Sequence, residues 1–197
     1  MMFFRDKIIE DSDIFNEFEK EEVLNILSRV SWTYLSSTTS PKFPQNSHDL
    51  VLRPSSEYSF FNDTPPRIVS DEYEFFLGIL NKFCKKHRIK YSNVIRACIN
   101  KTEHISGYTN TDPHIDFIKD HYVVLMYFDE SSPTIIFDKK YSNSEEMYDV
   151  DNSSFKVKKK IYPSFGKICL FDGKYFHANE ITKPDETRIV CVLNLLK

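Results

Sequence analysis

The chain has 197 residues, 41% hydrophobic and 15% aromatic, enough to bury one substantial core rich in β-structure. Only four glycines are present, which excludes a collagen-like or repeat chain. A formal net charge of −3 excludes nucleic-acid binding driven by a global basic field, though not by a local patch.

No apolar run approaches the roughly 18 residues needed to span a bilayer, so no membrane partner is expected. The opening Met1-Met2-Phe3-Phe4-Arg5-Asp6 has no apolar signal core, and Cys84, Cys98, Cys169 and Cys191 form no C-x-x-C pair. Reduced, buried thiols in a soluble cytoplasmic protein are the expectation.

In chain order, residues 3–9 read as a short strand. Asp11, Ser12 and Asp13 offer N-cap oxygens to a helix whose apolar positions include Ile14, Phe18, Val23, Leu24, Ile26, Leu27 and Val30. Trp32-Thr33-Tyr34-Leu35 reads as extended, an aromatic pair packing at the helix exit. Residues 36–67 are polar and punctuated by prolines, too long for a plain connector and therefore either packed down or a flap over a site. A second helix is expected over 71–87, with Tyr73, Phe76, Leu77, Leu80 and Phe83 at helical spacing. Asp71 and Glu72 at its start, and Lys85, Lys86 and His87 at its end, complement the helix dipole.

From residue 91 the period becomes extended. Strands are expected over 93–100, 122–129, 134–138, 155–161, 167–172 and 188–195. Two helices followed by six or more strands describe an α+β chain whose second half is a β-sandwich or barrel. Residues 139–154 are polar and read as a surface excursion. The basic run Lys156-Val157-Lys158-Lys159-Lys160 reads as a solvated strand edge that discourages edge pairing.

The stretch Asp112-Pro113-His114-Ile115-Asp116 carries the chemistry. Residues two apart on a strand project from one face, so His114 and Asp116 at a strand end would point the same way. They supply two of the three ligands of a two-histidine, one-carboxylate facial triad, which leaves one side of an iron(II) ion open. The third ligand must come from afar, and His177 in Phe171-Asp172-Gly173-Lys174-Tyr175-Phe176-His177 is the candidate. A lone His-x-Asp is as readily a loop histidine beside a turn carboxylate. Its position between β-patterned segments, with His177 and then Arg188 before and on the last strand, raises its weight. The remaining histidines read as structural: His87 at a helix end, His48 in the proline-rich stretch, and His104 and His121 in solvated loops near the presumed site, where either could instead line it.

From about Val94 to Leu195 the chain resembles the iron(II)/2-oxoglutarate-dependent oxygenase superfamily, nearest its prolyl-hydroxylase-like branch with small phage-type members. The resemblance rests on His114, Asp116, His177 and Arg188, which match that family's His-x-Asp, distant His, and basic residue about ten positions further on. It implies a double-stranded β-helix (jelly-roll) core with N-terminal helices packed on one sheet. It also implies a single domain over 1–197, helical with a proline-rich flap over 1–90 and jelly-roll over 91–197. By resemblance the cofactors are Fe(II), 2-oxoglutarate and O2, with ascorbate as an accessory reductant. His114, Asp116 and His177 would ligate the metal, and Arg188 would grip the distal carboxylate of 2-oxoglutarate, supported by Tyr127. Asn100 would lie over the co-substrate, and Arg96 on the same strand would point toward substrate. Residues 131–137 depart from the family's Gly-Gly-x-Thr-x-Phe turn: the glycines are missing while Thr134 and Phe137 persist, which bears on the substrate more than on the metal.

The implied activity is hydroxylation of an unactivated C–H bond. A peptide or protein, peptidyl proline first, is the favoured substrate, with a small molecule or a nucleic-acid base open. Rival readings are a jelly-roll binding module without turnover and a zinc hydrolase, because two histidines and a carboxylate also suit zinc. The sequence leaves the oligomeric state unassigned.

Overall fold

The computed structural model describes residues 8–38, 42–52, 67–142 and 155–197. Strand β1 (Ile9–Asp11) precedes helix α1 (Glu17–Arg29), then β2 (Thr33–Leu35), β3 (Gln45–Leu52) and β4 (Arg67–Ile68). Helix α2 (Tyr73–His87) is followed by β5 (Asn93–Glu103), β6 (His121–Tyr127), β7 (Thr134–Lys140) and β8 (Val157–Ile161). The last three strands are β9 (Ile168–Asp172), β10 (Tyr175–Asn179) and β11 (Thr187–Leu196).

The strands form two antiparallel sheets. The major sheet runs β1-β9-β6-β11-β5-β3-β2, with β4 paired to β3, and the minor sheet runs β10-β7-β8. This is a jelly-roll core with two helices on one sheet. Alternation along the central strands decides which side chain goes where. Cys191, Leu193 and Leu195 of β11, with Val124 and Met126 of β6 and Ala97 and Ile99 of β5, join α1 and α2 in one cluster. The opposite faces put Val190, Val192, Leu125, Tyr127 and Cys98 into a second cluster with Ile136 and Tyr175 of the minor sheet. All four cysteines are buried and free.

Helix α1 begins later than Asp11–Asp13. Asn16 and Glu19 close a capping box: Asn16 Oδ1 accepts from the Glu19 amide at 2.9 Å and Glu19 Oε2 accepts from the Asn16 amide at 3.0 Å. Asp11 instead sits in β1, where it bonds His87 Nε2 at 2.6 Å and Lys86 Nζ at 2.8 Å. Only Val23 and Ile26 of α1 are buried, while Phe18 and Leu24 are exposed at 75% and 56%, so the apolar stripe is narrower than its sequence pattern. The aromatic pair after the helix separates, Trp32 packing on the core and Tyr34 facing solvent. Helix α2 buries Tyr73, Phe76, Leu80 and Phe83 as its spacing predicts, and ends at Arg88 in the left-handed conformation.

Three further elements differ from the sequence reading. The expected strand over 3–9 falls mostly outside the described residues, and β1 starts at Ile9. The polar stretch 36–67 contains a full strand, β3: a register shift between Asp49 and Val51 lets the adjacent Leu50 and Val51 both enter the core, while Ser47 turns to the other side toward Asn100. His177 lies on β10, a strand absent from the expected set. Residues 53–66 of the expected flap and 143–154 of the expected excursion lie outside the described residues. The lysine-rich β8 is the edge of the minor sheet, with exposed lysines and ion pairs from Lys159 to Glu10 and from Lys160 to Glu180.

Candidate metal and co-substrate site

His114 does not lie in a strand. It makes an isolated bridge to β10, its amide donating to the His177 carbonyl at 3.0 Å and the His177 amide donating back at 2.9 Å. The segment that follows buries Ile115 against Phe176 and Ala178 on the outer face of the minor sheet. With Ile115 turned outward, His114 and Asp116 both turn inward, the period-2 relation the sequence suggests, achieved by a bridge instead of a strand.

His114, Asp116 and His177 thus meet with their ligand atoms all within 4.8 Å of one another. Each imidazole Nε2 stands 3.9 Å from an Asp116 oxygen, His114 from Oδ1 and His177 from Oδ2. The other ring nitrogens face carbonyls: His114 Nδ1 donates to Asp112 O at 3.0 Å and His177 Nδ1 to Tyr175 O at 3.1 Å. Only an N–H can face a carbonyl, so both Nε2 atoms carry lone pairs, the tautomer a metal ligand needs. Burial and the neighbouring His177 push His114 down to about 4, and burial likewise lowers His177, so both rings are neutral at ordinary pH. Burial alone would raise the Asp116 carboxyl, but His177, Arg96 and His114 more than reverse this and keep it ionised. Two neutral imidazoles and one carboxylate on one side of a common point suit a facial triad.

The sequence reading omits Asn194, which is fully buried on β11 and whose Nδ2 donates to Asp116 Oδ2 at 2.6 Å. The signal was available: Asn194 lies six residues beyond Arg188, an even offset that sets both on the inward face of one strand. His121, expected in a solvated loop, is instead fully buried at the start of β6. Its Nδ1 donates to Lys119 O at 2.8 Å, and its ring lies so close over Gly173 that a Cβ there would fall 2.1 Å from Nε2. His104 is exposed and donates to Thr182 O at 2.6 Å.

A cavity opens beside the triad, lined among others by Arg96, Asn100, His114, Asp116, His177 and Arg188. Arg188 is 2% exposed, and its Nη2 donates to Thr134 Oγ1 at 2.9 Å. Its Nε is buried with no hydrogen-bond partner among the described residues. A buried cation with an unanswered donor carries a desolvation penalty that an anion in the cavity would relieve. Tyr127 is buried outside the cavity lining; its hydroxyl donates to the same Thr134 Oγ1 at 2.9 Å, and its ring lies 5.7 Å from the guanidinium carbon. Tyr127 therefore props Arg188 through Thr134, a residue present here without the glycines before it. Asn100 lines the cavity with its Oδ1 accepting from Ser47 Oγ at 3.0 Å, leaving its amide hydrogens for the cavity side. The described part of the proline-rich stretch also reaches this cavity, through Thr38, Phe43, Pro44 and Gln45.

No protein-family model and no curated protein matches the sequence. Solved structures do match the fold. An oxidoreductase of the 2OG-Fe(II) oxygenase family from Burkholderia pseudomallei aligns with TM-score 0.68 at 12% identity, over 96% of this chain and 84% of that one. HygX from Streptomyces hygroscopicus, a structure with nickel and 2-oxoglutarate bound, aligns with TM-score 0.58 at 11% identity over 96% and 82%. A Pseudomonas putida prolyl-4-hydroxylase aligns with TM-score 0.55 at 6% identity over 98% and 93%. The fold is that of the 2-oxoglutarate- and iron(II)-dependent oxygenases, and the His114–Asp116–His177 cluster lies inside its core. Among the described residues no helix is long and apolar enough to cross a membrane.

Proposed function

We propose that the protein is an iron(II)- and 2-oxoglutarate-dependent oxygenase that hydroxylates an unactivated C–H bond. The observation that carries this reading is Arg188, a buried guanidinium that lines the cavity holding the triad and whose Nε has no partner among the described residues. A zinc hydrolase has use for the triad but none for that arginine, and a module without turnover would be free to lose any of the four residues.

His114, Asp116 and His177 would hold the iron, and Asn194 keeps the Asp116 carboxylate turned toward it. Iron(II) and 2-oxoglutarate, when bound there, would supply with O2 an oxidant strong enough for a C–H bond. Arg188 receives the distal carboxylate through paired, charge-assisted hydrogen bonds. Thr134 and Tyr127 fix its plane before the co-substrate arrives, so less freedom is lost on binding. Asn100 offers amide hydrogens to the same co-substrate. Leu125, Val190 and Val192 form the apolar wall between, keeping water from the reacting centre.

Hydroxylation of peptidyl proline is supported by the likeness to the Pseudomonas enzyme. The guanidinium of Arg96 in the same cavity favours a substrate with an anionic group. The test of the class is anaerobic addition of iron(II) and 2-oxoglutarate to the metal-free protein. A visible charge-transfer band from the bidentate complex, weakened in Arg188→Gln, is expected. Metal uptake without a band in the wild type would return the protein to the hydrolase or binding-module reading.

A further inference from the structure

Among the described residues that line the cavity, Arg96 is a cation beside the triad that the chemistry so far leaves without a task. It sits on β5 with its side chain 21% exposed, turned into the cavity on the same inward face as Cys98 and Asn100. Its Nη1 stands 3.9 Å from Asp116 Oδ1, an ion pair longer than a hydrogen bond. The Cys98 thiol, two residues along the same face, and Asp49, on the neighbouring β3, also act on it, but burial raises the Cys98 thiol and keeps it uncharged, and Asp49 is exposed to solvent, where its charge is screened.

Resting on the oxygenase reading, the charges can be summed. Iron(II) with one carboxylate and two neutral imidazoles carries +1, and a chelating 2-oxo acid end with −1 neutralises it. The distal carboxylate is matched by Arg188. Arg96 then remains as one positive charge, and its Asp116 partner has turned its charge to the metal. The remaining acidic groups on the cavity wall do not answer it. Glu180 is paired with Lys160, and Glu103 is exposed seven residues along β5, roughly 23 Å of strand from Arg96. Arg96 and Arg188 lie opposite Asn194 and Thr102 respectively, so six residues of register separate them along the β5–β11 pair, roughly 20 Å of backbone. They serve opposite ends of the cavity.

We infer that Arg96 anchors an oxyanion of the substrate, a carboxylate above all, beside the metal centre. The substrate class is then an organic acid or an acid-bearing small molecule whose oxidised carbon lies a few bonds from that group. A guanidinium close to the metal fixes both the position and the orientation of such a molecule through its planar fork.

The experiment uses the full chain loaded with manganese(II) and 2-oxoglutarate, which does not turn over, and acetate as the probe. The paramagnetic broadening of the acetate methyl protons is followed as acetate is added. Saturable broadening in the wild type, reduced at least about tenfold in Arg96→Gln with manganese and 2-oxoglutarate affinity retained, is the expected result. Equal broadening in both proteins overturns the assignment, because acetate then binds the metal or another cation. Weakened 2-oxoglutarate binding in Arg96→Gln also overturns it, assigning Arg96 to the co-substrate, and weakened manganese binding with broadening kept assigns it to holding Asp116. Failure of the wild type to take up 2-oxoglutarate sinks the oxygenase reading itself, and the surplus charge with it.

Discussion

The two faces of β11 show how one strand carries two kinds of information. Toward the helices it presents Cys191, Leu193 and Leu195, which need only fill space in an apolar layer. Toward the minor sheet it presents Arg188, Val190, Val192 and Asn194, where both ends are polar and each meets a named partner. The first face tolerates substitution by anything apolar of similar volume, since packing is non-directional. The second does not, because hydrogen bonds and a buried cation demand a particular atom at a particular place. The residues that line the candidate site alternate, along one strand, with residues that hold the fold.

Variants that affect one face only should separate these contributions. His177→Ala removes a ligand from the inward side and should lower iron(II) affinity by an order of magnitude beyond the ~10–100-fold typical of an outer-shell partner. Circular dichroism should stay native, and calorimetric titration of the metal-free protein measures the loss. A folded variant with unchanged affinity would remove His177 from the triad. Leu193→Ala on the opposite face should reduce stability by about 2–5 kcal/mol in urea unfolding. Its 2-oxoglutarate affinity, measured well below the transition, should match the wild type.

Asn194→Ala tests whether the inward face positions as well as binds. It should weaken iron(II) binding by about 10–100-fold through a looser Asp116 carboxylate. An unchanged affinity would make Asn194 a packing residue.

Further from the site the effects shrink. Burial alone raises the Asp11 carboxyl, but hydrogen bonds from Lys86, the Asp13 amide and His87 outweigh it and hold the group below its ordinary value of 3.8. A carboxylate so lowered contributes stability that is present above that value and is lost as pH falls through the folded one. Wild type should therefore exceed Asp11→Asn by about 1 kcal/mol at neutral pH, with the gap closing below about pH 4. A gap that does not narrow as the pH is lowered below 4 would mean that packing, not charge, holds β1 to α2. Phe18→Ser should change stability by no more than about 0.5 kcal/mol, because that ring is exposed despite its place in the apolar pattern.

The elements most legible in the sequence are those whose signal is local. Helix α2 and strands β5, β6 and β11 announce themselves by period, and His114, Asp116, His177 and Arg188 by type and order. Strand β3 is hidden because Gln45, Asn46 and Asp49 are polar and prolines flank it; pairing with β5 and β2 overrides its composition. The capping box at Asn16 is local and readable, yet three acidic or hydroxyl residues upstream compete for the same role.

By itself the sequence determined the alternation that sorts each strand into an inner and an outer face, and the residue types that can hold a metal and a carboxylate. Tertiary structure alone decided which of them meet. His114 reaches His177 through a bridge outside any strand, Asp116 meets Asn194 across 78 residues, and Arg188 meets Thr134 across 54. The reason is physical. Period and capping depend on a few neighbouring residues, whereas these contacts depend on the register of antiparallel pairs between distant segments. A slip of one residue in that register would turn every one of these side chains to the opposite face.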